Sequence, residues 1–265
     1  MQQHIIYRLV VCIGLQVLHS KGYFCRKPIL FRIQLLNFIM KFTFYGHASF
    51  LIETAGFKLL FDPFITPNQQ AKNIDVESIE CDFILLSHGH GDHVADAASI
   101  AKRTGAKVIS TPEVIGWMNK QGIENTHPMN TGGKFGFDFG AVKMTVAHHS
   151  SSMPDGSYGA NPVGFLITTP EGNFYYAGDT GLTLDMQLIA TWAKVDFAIL
   201  PIGDNFTMGH EDAATVATFV QTKKVIGIHF DTFGWIKIDH EAAKKSFTDK
   251  NVALVLPALG ETIEL

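Results

Sequence analysis

Cysteine is scarce in this chain of 265 residues, which contains only three cysteines and no C-x-x-C pair. The scarcity argues against a disulfide framework and favours a reducing, cytoplasmic location. Positive charge is not concentrated either, because the formal net charge is −4 and the sequence has no basic tract. Tight binding to a nucleic-acid backbone requires a concentrated positive face, so no nucleic-acid partner is expected.

Acidic residues are missing from residues 1–39, where Arg and Lys are scattered between apolar runs. Residues 9–18 resemble the apolar region of a signal peptide, but Gln16 interrupts them and no small-x-small cleavage site follows. The run is also shorter than the about 20 apolar residues that span a bilayer, so no membrane partner is expected. We interpret residues 1–39 as an N-terminal extension outside the fold, with Met40 as the biological start. A signal peptide or a membrane-surface helix is the alternative.

From Met40 onward the sequence is orderly, and the 46% apolar content of the chain is ample for one sizeable core. No low-complexity linker or block of charge divides residues 40–265, so we predict one domain there. The first segments, KFTFY, SFLIE and FKLLFD, are strand-like and are separated by glycine-containing turns. This pattern predicts an antiparallel meander.

Strand-like and helix-like segments then follow in a repeated order. Helical spacing of apolar residues predicts helices in HVADAASIAKRTG, PEVIGWMNKQG, TLDMQLIATWA, HEDAATVATFVQT and residues 240–249. Strands are predicted in CDFILLS, AKVIS, KFGFDFG, AVKMTVA, VGFLITT, NFYYAGD, VDFAILPIG, KVIGIHF and NVALVL. Several strands followed by β/α units occur twice. The order predicts an α/β fold in which two sheets stack face to face with helices outside, a four-layer αββα sandwich.

The densest group of potential metal ligands is the segment SHGHGDH, which directly follows an apolar strand. His88 and His90 are two positions apart, so in extended backbone their side chains share one side. The intervening glycines allow the loop to turn tightly and bring Asp92 and His93 towards the same place. Three imidazoles and a carboxylate at this density predict a metal site rather than a solvated polar turn.

This H-x-H-x-D-H motif resembles the signature of the metallo-β-lactamase superfamily. The segments KFTFYGHASFLIE, FDPF, SHGHGDH, AGDTGLT and LPIGDNFTMG, with a late strand ending in histidine, resemble one branch of it. That branch contains small bacterial and archaeal metal-dependent hydrolases related to the ascorbate-6-phosphate lactonase group. The resemblance covers residues 40–265, and it implies the metallo-β-lactamase sandwich fold and metal-dependent hydrolysis.

The resemblance also implies a centre of two divalent metal ions. Its ligands follow strand-like runs, where a sandwich fold gathers loop residues at one edge. The set implied for one ion is His88, His90 and His149. The set implied for the other ion is Asp92, His93 and His229. Asp179, in AGDT, is implied as the bridge, and Asp62, in FDPF, as a brace that hydrogen-bonds the metal loop. Read without the resemblance, Asp179 fits a turn aspartate and His229 a buried core histidine.

Two adjacent histidines, His148 and His149, compete for one ligand position because neighbours in a strand point to opposite faces. Alternation groups His148 with the apolar side chains of Val142, Met144 and Val146. The resemblance places the ligand directly before a serine. Both arguments predict that His149 is the ligand.

The remaining histidines have weaker patterns. His47, in YGHAS, recurs in the branch that the chain resembles, and it is a candidate proton donor or substrate contact. Its alternative is a hydrogen-bonded turn histidine. His210 is predicted to lie at a helix N-terminus, and His127 and His240 are interpreted as surface residues.

Five imidazoles and two carboxylates, with no thiolate, suit Zn²⁺, with Mn²⁺ and Fe²⁺ as alternatives. Two such ions leave a bridging position for water, whose pKa falls from about 15.7 towards about 7. The predicted function is therefore a dinuclear metal-dependent hydrolase, in which a metal-bridging hydroxide attacks a lactone, ester or phosphoester of a small molecule. Asp92, Asp179 and His47 are the candidate catalytic residues.

Two alternative functions stay open from the sequence. A phosphodiesterase or nuclease is the nearest, although the chain lacks a basic groove-forming segment. An iron-dependent oxygenase on the same fold is the other. The flavodiiron branch resembles H-x-E-x-D, whereas His90 occupies the second position here, which favours hydrolysis. Ser150, Ser151, Ser152 and Asn205 are candidates for binding polar substrate groups, and a homo-oligomer is a possible assembly.

Overall fold

The computed structural model describes residues 39–265, so the interpretation of the preceding residues as an extension lies outside the described part. The described strands are β1 (Lys41–Gly46), β2 (Ser49–Thr54), β3 (Phe57–Phe61), β4 (Phe83–Leu85), β5 (Lys107–Ser110), β6 (Thr126–Pro128), β7 (Lys134–Phe137), β8 (Gly140–Val146), β9 (Val163–Thr168), β10 (Asn173–Tyr176), β11 (Phe197–Pro201), β12 (Lys224–Ile228), β13 (Ala253–Val255) and β14 (Thr262–Glu264). The α-helices are α1 (Gly91–Val94), α2 (Ala97–Thr104), α3 (Pro112–Lys120), α4 (Ile189–Trp192), α5 (His210–Phe219) and α6 (His240–Thr248). Short 3₁₀ turns lie at Gln69–Ala71, Val76–Ser78, Leu184–Leu188 and Gly234–Ile236. Among these residues, no helix combines the length and the hydropathy that crossing a membrane requires.

The strands form two seven-stranded sheets, in the orders β14-β1-β2-β3-β4-β5-β6 and β13-β12-β11-β10-β9-β8-β7. Each sheet is mixed. In the first, β1 to β3 form the predicted antiparallel meander and β3 to β6 are parallel. In the second, β7 to β10 are antiparallel and β10 to β13 are parallel.

The buried side chains form three separate clusters, which show the layers directly. One cluster joins the inner faces of the two sheets, and its aromatic rings include Phe50 stacked on Phe61 at 4.6 Å. Tyr176 of the second sheet meets both rings edge-on, at 5.0 and 5.6 Å between centroids. The other two clusters lie between each sheet and its own helices. The four-layer αββα sandwich is therefore confirmed.

The helix predicted in HVADAASIAKRTG is wrong as a single element. The first part, α1, ends at Val94, and α2 begins at Ala97. Between them, the Asp96 carboxylate accepts hydrogen bonds from the backbone N–H groups of Ile65 and Thr66 at 2.6 and 2.9 Å. This tertiary contact overrides the local helical periodicity. The short α1 therefore carries Asp92 and His93 as an element separate from the longer α2.

Candidate metal centre

Strand ends of both sheets supply the side chains of the site. β1 and β3 both run antiparallel to β2, while β4 runs parallel to β3, so these three strands end at one edge. By the same pairing, β8, β10 and β12 share a direction in the second sheet. The residues that follow these strand ends are His47 after β1, Asp62 after β3, His88 after β4, His149 after β8, Asp179 after β10 and His229 after β12.

Asp62 is a fully buried carboxylate that holds the histidine-rich loop. Its Oδ1 accepts a hydrogen bond from the backbone N–H of Ser87 at 2.8 Å. Its Oδ2 accepts from the Ser87 hydroxyl and the Tyr176 phenol at 2.5 Å each, and it lies 2.9 Å from Nδ1 of His93. The prediction that Asp62 braces this loop is confirmed. Because the carboxylate holds Nδ1, the ring of His93 presents Nε2 to the site.

His88, His90 and His149 form a first set of imidazoles, with one ring nitrogen of each lying within 4.8 Å of the others. Nδ1 of His88 is 2.9 Å from the Ser87 hydroxyl oxygen, while its Nε2 lies 3.0 Å from Nδ1 of His90. Since the Ser87 hydroxyl proton goes to Asp62, the serine oxygen accepts from His88, and Nε2 of His88 keeps its lone pair. The arrangement can hold a metal ion.

Asp92, His93 and His229 form a second set, which His47 joins within the same 4.8 Å limit. Nε2 of His47 lies 3.1 Å from Oδ2 of Asp92, and its Nδ1 lies 3.1 Å from the Thr232 hydroxyl. The rings of His47 and His229 pack with centroids 4.0 Å apart. The backbone N–H of His229 also donates to the carbonyl of His47 at 2.7 Å, which ties the two loops together.

Asp179 lies between the two sets. Its Oδ2 is 3.2 Å from Nε2 of His93, 3.0 Å from Nε2 of His229 and 3.7 Å from Nε2 of His149. One carboxylate oxygen of Asp179 also groups with ring nitrogens of His88 and His93, one from each set. The seven predicted ligands are thus brought together, and Asp179 occupies the shared position.

Several polar atoms of the two ligand sets and of Asp179 are buried without a hydrogen-bond partner among residues 39–265. They are Nε2 of His93, Oδ1 of Asp179 and both ring nitrogens of His229. The two Nε2 atoms lie close to Oδ2 of Asp179 but are not aligned to hydrogen-bond it. Buried polar atoms are normally paired, because an unsatisfied one costs about 1–3 kcal/mol. Imidazole nitrogens and carboxylate oxygens converging on one point are the donor set of a borderline divalent cation. The residues therefore fit a metal centre.

Electrostatics within the site follow from burial and from the three carboxylates. Burial lowers the pKa of His88 well below its ordinary value, and it also lowers the pKa values of His90 and His149. Burial acts in the same direction on His93, but Asp179 and Asp62 outweigh it and hold the pKa of His93 well above the usual range. For Asp179, burial is outweighed by His229 and His93, and the carboxyl pKa stays well below its ordinary value.

His47 is buried behind Asp92 and does not line the open space. Burial, reinforced by the neighbouring His229, lowers the pKa of His47 to about 4. A neutral His47 donates from Nε2 to Asp92 and accepts at Nδ1 from the Thr232 hydroxyl. Burial on its own raises the pKa of Asp92, but the hydrogen bond from His47 and the charge of His93 outweigh it and keep the carboxyl ionised.

The backbone is strained at three of these positions. His47, Asp62 and His229 have φ values of 56°, 40° and 55°, in the left-handed region that L-residues with a Cβ rarely adopt. Each such residue costs on the order of 1–3 kcal/mol and persists only where its surroundings over-determine it. The strain coincides with the residues that turn their side chains into the site.

An open cavity of about 330 Å³ lies directly above the centre. Its floor consists of candidate ligands, and Ser150, Phe206 and Phe233 form the rest of its wall. Ser151 is a support for the loop instead. Its hydroxyl accepts from the backbone N–H of Gly89 at 3.0 Å and donates to the carbonyl of Gly159 at 2.7 Å.

Comparison with known proteins identifies the family. The profile of the β-lactamase superfamily domain matches residues 58–230. A metal-dependent hydrolase of the UPF0173 group from Flavobacterium johnsoniae is 54% identical over 226 residues, which is 85% of this chain and the whole of that protein. This chain belongs to the metallo-β-lactamase superfamily.

Other members of the superfamily extend the match. The UPF0173 metal-dependent hydrolase from Christiangramia forsetii is 50% identical over 227 residues, 85% of this chain and all of that protein. The structure of Igni18, a metallo hydrolase from Ignicoccus hospitalis, superposes with a TM-score of 0.78 at 30% identity, covering 86% of this chain and 99% of that one. The chain is an enzyme, a metal-dependent hydrolase of the metallo-β-lactamase fold.

Within residues 39–265, the other histidines fall outside these ligand groups. His148 is exposed, and its Nε2 is 4.0 Å from Asp185. His210 begins α5, as predicted, and its Nδ1 lies 2.9 Å from the Ser246 hydroxyl. His240 is on the surface, as predicted, whereas His127 is half-buried against Phe135 and Phe137.

Sequence reasoning missed several residues of the site. Tyr176 and Ser87 were unassigned, although both donate to Asp62, and Thr232 contacts His47. Phe206 and Phe233 line the cavity. Phe206 and Phe233 did carry one signal, because each lies in a polar or glycine-containing stretch close behind a strand that ends at the site.

Proposed function

We propose that this hydrolase holds two divalent ions, of which zinc suits the donor set best, and acts on a small molecule. His88, His90 and His149 would hold the first ion, and Asp92, His93 and His229 would hold the second. The position of Asp179 carries the proposal, because its carboxylate groups with one histidine of each set. A single-ion site would not need a buried carboxylate shared between two groups of imidazoles.

When bound, such ions supply a water of lowered pKa and positive charge beside the scissile bond. The chain's own residues set the geometry for this chemistry. Asp62 orients His93, Ser87 orients His88, and Asp179 fixes the spacing between the two sets. Ligand rings that are already aligned need no reorganisation when a substrate arrives.

Proton movement is assigned to the carboxylates. Asp179 keeps Oδ1 without a partner among residues 39–265, and we assign this atom to relay a proton to the leaving group. His47 is neutral at physiological pH because its pKa is about 4, so it is a poor proton donor there. We therefore assign His47 to orient and stabilise the Asp92 carboxylate through Nε2.

Metal content and turnover test the proposal together. The chain, purified without chelator, is expected to contain about two zinc ions by elemental mass spectrometry and to hydrolyse lactone or ester reporters. His90→Ala should lose metal and activity but keep the circular dichroism spectrum of the folded protein. His127→Ala is the control and should keep both, because His127 lies on β6 against Phe135 and Phe137 and belongs to neither ligand set. One iron per chain with oxygen consumption would support the oxygenase instead.

A further inference from the structure

The cavity above the centre has a chemical character that the metal ligands do not determine. Its wall contains two aromatic rings, Phe206 and Phe233, which are 53% and 38% exposed. Single exposed aromatics are common on proteins, but two on the wall of one cavity at a reactive centre indicate a surface for an apolar ligand group.

The loop that carries Phe206 is built to hold the ring in place. Gly203 and Gly209 pair across its base, and Met208 donates its backbone N–H to the carbonyl of Thr180 at 2.9 Å. At its tip, Asp204 and Asn205 have φ values of 61° and 54°. A loop tied at both ends and bent this sharply presents the following side chain in a fixed direction.

Asp231 organises the loop of Phe233 in a similar way. Its carboxylate accepts from the backbone N–H of Ile238 at 3.0 Å and pairs with His240 at 2.7 Å, while its carbonyl accepts from the Gln70 side chain. The Phe233 ring packs edge-on against His47, with centroids 5.2 Å apart. The Phe233 side of the aromatic wall thus packs against the second ligand set.

Cationic side chains are missing from the same wall. Within residues 39–265, neither this cavity nor the adjoining one of about 450 Å³, which shares His149, is lined by Lys or Arg. Arg103 is the one arginine of those residues, and it pairs with Glu80 at 2.8 Å and with Glu77, before β4. Phosphate groups are usually held by the fork of Arg or the charge of Lys, because their oxygens carry charge beyond what one contact neutralises.

We propose that the substrate is an uncharged ester or lactone whose alkyl or aryl group packs on Phe206 and Phe233. The inference rests on the proposed hydrolytic function and names the substrate class of that site. Water adds across the acyl C–O bond, so the products are a carboxylic acid and an alcohol, which are one molecule when the substrate is a lactone. The phosphoester class is disfavoured because, beyond the ions of the proposed centre, the wall offers no Lys or Arg to the remaining phosphate charge.

A homologous series of γ-lactones, from butyrolactone to octalactone, measures the apolar contact. For the wild-type enzyme, kcat/KM should rise about three- to fourfold for each added methylene, as expected for burying a CH₂ group. Phe206→Ala and Phe233→Ala should flatten this dependence. Trp235→Ala is the matched control. Trp235 is 78% exposed and follows Phe233 in the same loop, but it does not line the cavity, so this variant should keep the dependence on chain length.

Binding measured without turnover separates this inference from the proposed function. Saturation-transfer NMR with the same lactones should show contact that strengthens with chain length and weakens in both Ala variants. That result without hydrolysis would overturn the proposed reaction and leave the apolar subsite standing. A flat series in the wild type, an unchanged series in the Ala variants, or faster turnover of bis(4-nitrophenyl) phosphate than of 4-nitrophenyl butyrate would overturn the subsite. Phe233→Leu, which keeps an apolar side chain, should retain the dependence if Phe233→Ala unfolds.

Discussion

The two ligand sets of the centre differ in depth and in support. In the second set, His93 and His229 are buried, Asp62 braces His93, and His47 braces Asp92. In the first set, His90 and His149 are partly exposed and face the cavity.

Hydrogen bonding from outside the sets shows the same contrast. In the described residues, Ser87 braces one ring of the first set, at His88, and the rings of His90 and His149 receive no such support. A braced, buried site is preorganised for its ion, whereas an open site adjusts and exchanges more easily. In the proposed two-ion centre, we therefore expect the second set to hold its ion more tightly than the first set, here called the open set, although Asp92 and His229 of the second set also line the cavity.

Loss of the shared carboxylate should have the largest effect, because Asp179 belongs to both sets. We expect Asp179→Ala to remove metal from both and to reduce kcat/KM by more than the about 10–100-fold that loss of a supporting residue costs. Elemental analysis and reporter turnover are the measurements. Two retained ions per chain in this variant would disprove the shared role.

The adjacent histidine pair offers a more selective test. His149→Ala should release the ion of the open set and spare most of the other, giving about one ion per chain and a large loss of turnover. His148→Ala changes a neighbouring but exposed ring and should match the wild type in metal content and rate. Equal metal loss in both variants would contradict the assignment of His149.

The brace at Asp62 should matter less for turnover than a ligand does. Asp62→Asn keeps the size of the side chain but replaces one accepting oxygen with a donor, facing the donors Ser87, His93 and Tyr176. We expect metal affinity of the second set to fall about 10–100-fold. Competition with a chelator, followed by the number of ions retained, measures this. Selective loss from the open set would reverse the comparison.

The smallest expected effect is on the free energy of unfolding, and two neighbouring tyrosines test it. Tyr176→Phe removes a hydrogen bond to a buried carboxylate and should lower the free energy of unfolding by about 1.5–3 kcal/mol. Tyr175→Phe is its control, because the Tyr175 hydroxyl is buried without a hydrogen bond among residues 39–265. Its removal should be neutral or stabilising in urea unfolding. Equal losses would show that the Asp62 contact adds nothing specific.

The edge of the sheets that carries the site could be predicted from the sequence, because ligand residues follow apolar strand runs one after another. The directions of the side chains beyond the end of β8 could not be predicted in this way. The alternation predicted His148 to be with the apolar residues, but β8 ends at Val146 and His148 is exposed. Once the strand ends, the two-residue period no longer fixes direction. The prediction of His149 as the ligand is therefore supported by the resemblance and not by the two-residue alternation.

Contacts between the two sheets could not be predicted from the sequence either. Tyr176 reads as an ordinary strand tyrosine, since its partner Asp62 is more than a hundred residues earlier and in the other sheet. Such a pairing depends on how the two sheets are placed on each other, which no local pattern encodes. The aromatic wall was missed for a similar reason, because Phe206 and Phe233 meet only through the loops of two different β/α units.

The hydrogen bond from Tyr176 to Asp62 has a mechanical consequence. It joins a strand of one sheet to the loop of the other, and the same carboxylate aims His93. Any slip of one sheet over the other is therefore transmitted to the aim of a ligand ring. Close-packed interiors resist such slip, and misplacements of about 1 Å can cost about 100-fold in rate. The stacked phenylalanines between the sheets thus help to keep the ligand ring of His93 in position. Substitutions that repack them should lower the catalytic rate even though they lie outside the centre.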